Sequence, residues 1–249
     1  RNICRKLLDG DSYVLENLAK GEEYSYTVTC AGFMPKSGTF SANDGQTIDI
    51  QLEKAKDNST IKTDIPASWK NFRGNDENNG LTTAKTPTDY KDLQLYWAKK
   101  VGESYGKGAP SSPIIVDDAL IYTTSTSIVK VDKLTGEVLA SGEMVKASAF
   151  NITPPTYADG MIFVALASGT IQAFNADTLE SLWVYHDPYY GQPNSPITYH
   201  NGYIYTGFWT GDSNKANFVC LSVTDEDIDN KTEEKTATWT YTHTGGFYW

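Results

Sequence analysis

The sequence has few residues of the kinds that build metal or redox centres. Three cysteines, Cys4, Cys30 and Cys220, give an odd count and no Cys-x-x-Cys spacing, so the pattern supports neither a zinc site nor a redox motif. Cys220 lies in an alternating apolar run and is predicted to be a small buried side chain. A disulfide between Cys4 and Cys30 and a pair of free thiols are both compatible with the sequence.

Long apolar runs and basic clusters are also missing. No segment approaches the roughly 18 to 20 apolar residues that a membrane-spanning helix needs. The formal net charge is -10 and the 21 basic residues form no patch, which argues against a nucleic-acid partner. Tyrosine, tryptophan and glycine are abundant instead, with 16, 6 and 20 residues. This composition is typical of a secreted or surface-displayed β protein.

Three segments of the chain repeat with a period of about 42 residues. Each begins with Ser-Pro or Thr-Pro, runs through a short strand, makes a tight turn and enters a second strand rich in Ile, Tyr, Phe or Val. The copies are residues 112–122, 153–163 and 195–205. Their predicted turns begin at Asp118, where Ala119 follows, and at the Asp-Gly and Asn-Gly pairs of the other two copies.

The second half of the unit repeats as well. Residues 132–140 match residues 175–183, and we expect Trp97 and Trp239 at the place of Trp183 in the flanking units. Two further strands fit in this half, so each period holds four strands. Such a unit is a β-propeller blade, because each blade buries its faces only against its neighbours. The tryptophan on the outermost strand is predicted to pack between adjacent blades.

Several residues of these turns follow the pattern Asp-x-x-Thr-Gly-x-x-x-Trp: Asp132, Thr135 and Gly136 in one copy, and Asn175, Thr178 and Trp183 in the next. On these residues the chain resembles the PQQ-like β-propeller repeats of quinoprotein dehydrogenases and of the outer-membrane assembly lipoprotein. The departures are Ala140 at the tryptophan place and Leu179 at the glycine place. Residues 69–75, followed by Asn79 and Gly80, also look like the segment that precedes such propellers. The resemblance covers roughly residues 68–249 and predicts the fold rather than the function.

Residues 1–54 have a different pattern. Period-two alternation between turn residues predicts about four short strands here, the last over residues 47–52. The order of their Tyr, Leu, Gly and Phe residues resembles the later part of the carboxypeptidase-regulatory-like and PEGA-like β-sandwich modules of bacterial surface proteins. The predicted fold is therefore all-β: the C-terminal part of a β-sandwich module at residues 1–54, a polar linker at residues 55–67, and an incomplete propeller of about three four-stranded blades at residues 68–249.

No catalytic, cofactor-binding or metal-binding residues can be assigned in the propeller region. The three histidines, His186, His200 and His243, form neither a His-x-His nor a His-x-x-x-His spacing. The resemblance to PQQ enzymes would imply an adjacent-cysteine disulfide over the cofactor, and the sequence has no adjacent cysteines. Residues 225–230 alternate carboxylates as a calcium loop does, but the sixth place lacks Gly and the twelfth lacks Glu. We predict a solvated acidic insertion, and a chain that is not an enzyme.

The loops of one rim give the better functional signal. In a propeller, the loops from strand two to strand three and from strand four to the next blade lie on the same side. The sequence places Tyr189 and Tyr190 in one such loop and Trp209 and Asp212 in another. Rings beside short polar side chains bind sugars or peptides, because stacking supplies area and polar groups fix orientation. We hypothesise a partner-binding surface; the alternative is that these rings fill gaps between blades or plug the channel mouth.

These observations predict a non-enzymatic binding or scaffold platform of an exported bacterial surface protein, which binds a protein or glycan partner through its rim loops. Two alternatives stay open: a quinoprotein-type enzyme with its catalytic residues beyond Trp249, and a carbohydrate-binding module of a cell-wall or polysaccharide-processing protein. We expect an extracellular or cell-surface monomer. Because the chain begins at Arg1 and closed propellers use about four to eight blades, we also expect it to be a fragment of a longer protein.

Overall fold

The computed structural model describes residues 5–7, 13–15, 18–28, 33, 36–54, 68–82, 84, 89, 93, 95–102, 110–146 and 153–248. Every regular element in these ranges is a β-strand, so the all-β prediction is confirmed. No helix long and apolar enough to span a membrane occurs in them. The chain forms two compact units, Arg1–Lys62 with Pro87–Ala98, and Thr63–Thr86 with Lys99–Trp249.

The smaller unit contains two antiparallel hairpins. Their strands are β1 (Arg5–Leu7) with β2 (Tyr13–Leu15), and β3 (Glu23–Val28) with β4 (Lys36–Ser41). The predicted strand over residues 47–52 is wrong, because alternation alone does not make a strand where no neighbouring strand pairs with it. The only pairing nearby in the described residues is an isolated bridge between Phe33 and Lys54. That this unit belongs to a β-sandwich stays a prediction, and Cys4 and Cys30 lie outside the described residues.

The described residues of the larger unit form three sheets, which we call blades 1, 2 and 3, and their strand pairs are antiparallel except for one pair in blade 2. In chain order the strands of this unit are β5 (Ser68–Trp69), β6 (Ile114–Val116), β7 (Ala119–Thr123), β8 (Ser127–Asp132), β9 (Val138–Glu143), β10 (Thr156–Ala158), β11 (Met161–Leu166), β12 (Thr170–Asn175), β13 (Ser181–His186), β14 (Thr198–His200), β15 (Tyr203–Gly207), β16 (Lys215–Ser222), β17 (Glu233–Glu234) and β18 (Trp239–Thr244). Blade 1 is β5-β6-β7-β8-β9, blade 2 is β10-β11-β12-β13-β17 and blade 3 is β14-β15-β16-β18.

Each blade is built on the predicted meander of four strands. Blade 1 gains β5 beside its first strand, and blade 2 gains β17 beside its fourth. The first strands of the blades are neighbours, with β10 between β6 and β14, as expected around a propeller axis.

The same hairpin turn joins the first two strands of every blade. Asp117, Asp159 and Asn201 occupy its first position with φ of 50°, 50° and 47°. Asp and Asn enter this left-handed region more readily than other residues with a side chain. The predicted turn at Asp118 and Ala119 is wrong by one residue, because the pairing of β6 with β7 closes on Asp117 and Asp118.

The turn between the third and fourth strands is held by its own side chains. Asp132 in blade 1 and Asn175 in blade 2 each accept hydrogen bonds from the backbone N–H groups two and three residues ahead, at 2.8 to 3.1 Å. In blade 1 these donors hold the carboxyl pKa of Asp132 below its usual value. Leu179 takes a φ of 58° where Gly136 has 71°. Its buried side chain offsets the cost of that conformation.

Two apolar clusters join the blades. One lies between blades 1 and 2 and includes Ile121, Ile128, Phe174 and Leu179. The other lies between blades 2 and 3 around Trp183, which is fully buried. Its ring centroid is 5.9 Å from that of Phe163, and its Nε1 donates a hydrogen bond to the Val223 carbonyl at 3.1 Å. The predicted packing of Trp183 between blades is confirmed.

Of the two tryptophans expected at equivalent places, one is found there. Trp239 opens β18 opposite Cys220, as Trp183 lies opposite Ala173, but its side chain is 45% exposed. Trp97 lies in no strand, so that prediction is wrong. The predicted burial of Cys220 is confirmed, and burial raises the pKa of its thiol.

The acidic insertion at residues 225–230 is exposed apart from the half-buried Asp225, as predicted, whereas charged residues shortly after it are buried. Glu233 and Lys235 are 7% and 6% exposed, because β17 runs parallel to β13 and covers it at Trp183. The Lys235 ammonium lies 3.2 Å from a carboxylate oxygen of Glu226, 3.4 Å from one of Glu233, and 5.7 Å from the Trp183 ring centroid. The segment after the insertion thus adds an edge strand to blade 2, and the buried charges there are paired.

Candidate functional site

Three loop segments meet at one end of blades 2 and 3. We call them the rim segments: residues 187–197 between β13 and β14, residues 208–214 between β15 and β16, and residues 245–248 after β18. The first two hold the four residues that the sequence predicts to be a binding surface, Tyr189, Tyr190, Trp209 and Asp212.

Backbone hydrogen bonds join the rim segments directly. Gln192 and Trp209 form a bridge, with N–H to carbonyl distances of 2.6 and 2.9 Å. Gly191 makes this approach possible, since a Cβ there would lie 2.6 Å from the Cβ of Phe208. The Phe247 N–H donates to the Phe208 carbonyl at 2.9 Å, which attaches the third segment. The loops that carry the two aromatic pairs therefore lie side by side.

The rings of the rim differ in exposure. Tyr190 is 72% exposed and Tyr189 is 40% exposed, whereas Trp209 is half-buried. The Trp209 ring packs edge-on against that of Tyr248, with centroids 5.0 Å apart and planes at 66°. The exposed Asp212 follows Trp209 in the same turn. The structure thus offers two open tyrosines beside a tryptophan whose orientation is fixed by its neighbour.

A buried carboxylate supports the first rim segment, and it was missed at the sequence level. Asp187 is fully buried and accepts hydrogen bonds from Asn217 Nδ2 at 2.7 Å, the Tyr185 hydroxyl at 3.3 Å and the Tyr189 N–H at 3.0 Å. The Thr242 hydroxyl donates to the other amide atom of Asn217, its Oδ1, at 2.7 Å. Burial, with Asp187 close by, strongly raises the pKa of the Tyr185 phenol.

This network connects blade 2 to blade 3 directly beneath the exposed tyrosines. A buried carboxylate with several donors holds its surroundings in one geometry, because leaving it unpaired would be costly. No local sequence pattern predicts that Asp187 is hydrogen-bonded to Asn217, which lies thirty residues away. In the sequence, Asp187 is an acidic residue between a predicted strand and Pro188, and such a position is typical of an ordinary turn.

No metal site emerges from the described part of the chain. No group of three His, Cys, Asp or Glu side chains there is placed to hold an ion. His186 instead contacts the carboxylate of Glu234 at 2.9 Å, and the insertion that resembles a calcium loop uses Glu233 to accept backbone N–H groups.

The chain is similar to several known proteins. The model of the family described as outer membrane protein assembly factor BamB matches residues 88–212, half of the chain. Europium-containing methanol dehydrogenase is 16% identical with a TM-score of 0.52, over 73% of this chain and 33% of its own. Quinohemoprotein alcohol dehydrogenase from Comamonas testosteroni is 13% identical with a TM-score of 0.51, over 71% and 27%. BamB from Moraxella catarrhalis is 18% identical with a TM-score of 0.35, over 49% and 34%.

The chain spans about a third or less of the length of these three proteins. No curated protein sequence matches it. At such identities the two dehydrogenases indicate the propeller fold alone, and not their chemistry. The fold and the family match confirm the predicted PQQ-like propeller: the chain belongs to the family described as outer membrane protein assembly factor BamB.

Proposed function

We propose that the larger unit is a non-enzymatic scaffold that binds a protein partner through the rim segments. The observation that carries this proposal is the exposure of Tyr190, 72% open on a loop fixed by the buried Asp187 and bridged to Trp209. Large rings held rigidly at a surface bind partners well, because little conformational entropy is lost on binding. The family description, an assembly factor, favours a protein over a glycan as the partner.

We extend the proposal to the setting of the protein. An acidic, aromatic-rich β chain of a family named for outer-membrane assembly fits an exported protein that acts as a monomer at the cell surface. In this role Tyr189, Tyr190 and Trp209 supply contact area, and Asp212 provides a charge that orients the partner.

Site-specific cross-linking identifies the partner. A photoreactive phenylalanine analogue replaces Tyr190 in the producing cells, and the same analogue replaces Tyr203 as the control. Tyr203 is 38% exposed and follows the turn at the opposite end of blade 3. We expect a discrete cross-linked protein from position 190 and not from position 203. Equal cross-linking from both positions would contradict the proposal.

Affinity for the purified partner then tests the residues. Tyr190→Ala with Trp209→Ala should weaken binding about 30-fold or more, as expected for two central aromatic contacts. Tyr203→Ala should change it less than about threefold. A double variant that stays folded and binds its partner like the parent would reduce these rings to packing residues. Glycan-array binding that disappears in the same double variant would assign the surface to a sugar instead.

A further inference from the structure

A cavity opens between blades 1 and 2, at the end of the strands opposite to the rim segments. Its volume is about 260 Å³, and its walls come from the first hairpin turns of both blades and from the turn after β12. The apolar part of the wall includes Val116, Leu139, Tyr157 and Ala176. Leu139 is 55% exposed, so an apolar surface is open to solvent here.

The next interface has a tryptophan in the corresponding space. In blade 2, Ala173 lies opposite Trp183 across β12 and β13; in blade 1, Lys130 lies opposite Ala140 across β8 and β9. Trp183 packs in a cluster with Leu182, Tyr199 and Val223. By the repeat, these three correspond to Leu139, Tyr157 and Ala176 of the cavity wall. The interface between blades 1 and 2 therefore has counterparts of the residues that surround the indole ring, but it has no indole ring.

Lys130 makes the hydrogen bond that Trp183 makes at the next interface. Trp183 Nε1 donates to the Val223 carbonyl at 3.1 Å, and Lys130 Nζ donates to the equivalent Ala176 carbonyl at 3.0 Å. A lysine chain satisfies the carbonyl but has no planar ring to fill the gap. The space that remains beside the lysine therefore leaves no backbone carbonyl of Ala176 without a hydrogen bond.

The mouth of the cavity is acidic. Asp117, Asp118 and Asp177 are exposed at its edge. Two lysines face them: Lys133 pairs with Asp118 at 2.8 Å, and Lys130 lies 3.7 Å from Asp177. Three carboxylates against two ammonium groups leave an excess of negative charge, which favours a cation at the mouth.

We propose that this cavity binds a planar aromatic ring of indole size that carries a cationic substituent. The ring packs against Tyr157 and Leu139, and the cation lies among the carboxylates at the mouth. Such a group could be a free aryl-alkylamine or a tryptophan next to a lysine in a partner protein. The site is separate from the proposed rim surface, so either can fail without the other.

Calorimetric titration of the full chain tests the site with three probes. Tryptamine, which combines indole and ammonium, should bind with a dissociation constant of about 1 mM or tighter. N-acetyltryptamine, which has the same ring without the charge, should bind at least about fivefold more weakly. The peptide acetyl-Trp-Lys-amide separates the two sources, since a clearly tighter peptide assigns the site to a protein partner and a weaker one to a free amine.

Filling the cavity provides the decisive variant. Ala140→Trp should weaken tryptamine binding at least about tenfold, because the new indole occupies the space. Ser141→Trp is the matched control: it adds the same ring to the same strand at an exposed position and should leave binding unchanged. If Ala140→Trp does not fold, Lys130→Ala with Ala140→Trp reproduces the blade 2 pair. No tryptamine binding at 10 mM, or equal binding by a folded Ala140 variant and the parent, would overturn the proposal.

Discussion

Replacing Trp183 by alanine measures how strongly blade 3 is held to blade 2. The indole is fully buried, contacts Phe163 and the Lys235 ammonium, and donates to the Val223 carbonyl. Truncating a buried tryptophan costs about 3 to 5 kcal/mol through lost burial and the cavity left behind. The Val223 carbonyl loses its partner as well, which adds about 1 kcal/mol. A total loss of about 4 to 6 kcal/mol lowers the melting temperature by roughly 8 to 24 °C.

Trp239 provides the matched control, because it holds the same place in blade 3 and is 45% exposed. Trp239→Ala should cost about 1 to 2 kcal/mol, since a half-exposed ring has less burial to lose. Urea unfolding followed by far-ultraviolet circular dichroism suits both variants, because the signal does not depend on the deleted fluorophore. If both midpoints shift equally, or if Trp183→Ala unfolds like the parent, the repeat register deduced for these blades is wrong.

Two further outcomes are expected. PQQ titrated with Ca²⁺ into the chain should give no saturable change in absorbance or fluorescence, because the sequence has no adjacent cysteines; micromolar binding that depends on residues within 68–249 would contradict this. Asp225→Asn should raise the urea midpoint at pH 7 but not near pH 3, because burial raises the folded-state pKa of Asp225 and its Oδ1 has no hydrogen-bond partner in the described residues. The ionised form is then penalised only in the folded chain, and the penalty disappears once both states are protonated. An equal gain at both pH values would refute the electrostatic explanation.

The repeating turns could be read from the sequence because their contacts are local. Asp132 and Asn175 bond to N–H groups two and three residues ahead, so residue type and spacing suffice to define the turn. The same holds for Asp159 and Asn201, each followed by glycine at a hairpin. Four strands in each blade, and the place of the buried tryptophan, followed from the spacing of these turns.

Edges and interfaces were decided by the tertiary structure. The strand that covers Trp183 comes from an insertion fifty residues later, and its pairing depends on which edge of which blade is open. The burial of Glu233 and Lys235 at this strand was not predicted, because a local sequence pattern does not show which charged residue will be buried with a partner. Trp97 had the right residue type at a plausible spacing, but it lies in no strand, and neither do the other described residues of 95–102.

The same distinction between local sequence patterns and tertiary contacts applies to the two candidate sites. The sequence located the aromatic residues of the rim, because blade topology assigns each loop to one side. It could not reveal the Gln192 bridge or the buried Asp187 that fix those loops, since both partners lie far along the chain. Blade 1 has Lys130 and Ala140 at the places where blade 2 has Ala173 and Trp183. In the sequence this difference appeared only as a departure from the repeat. Its consequence, a cavity whose carbonyl is still satisfied, arises where two blades meet and is therefore set by packing between them.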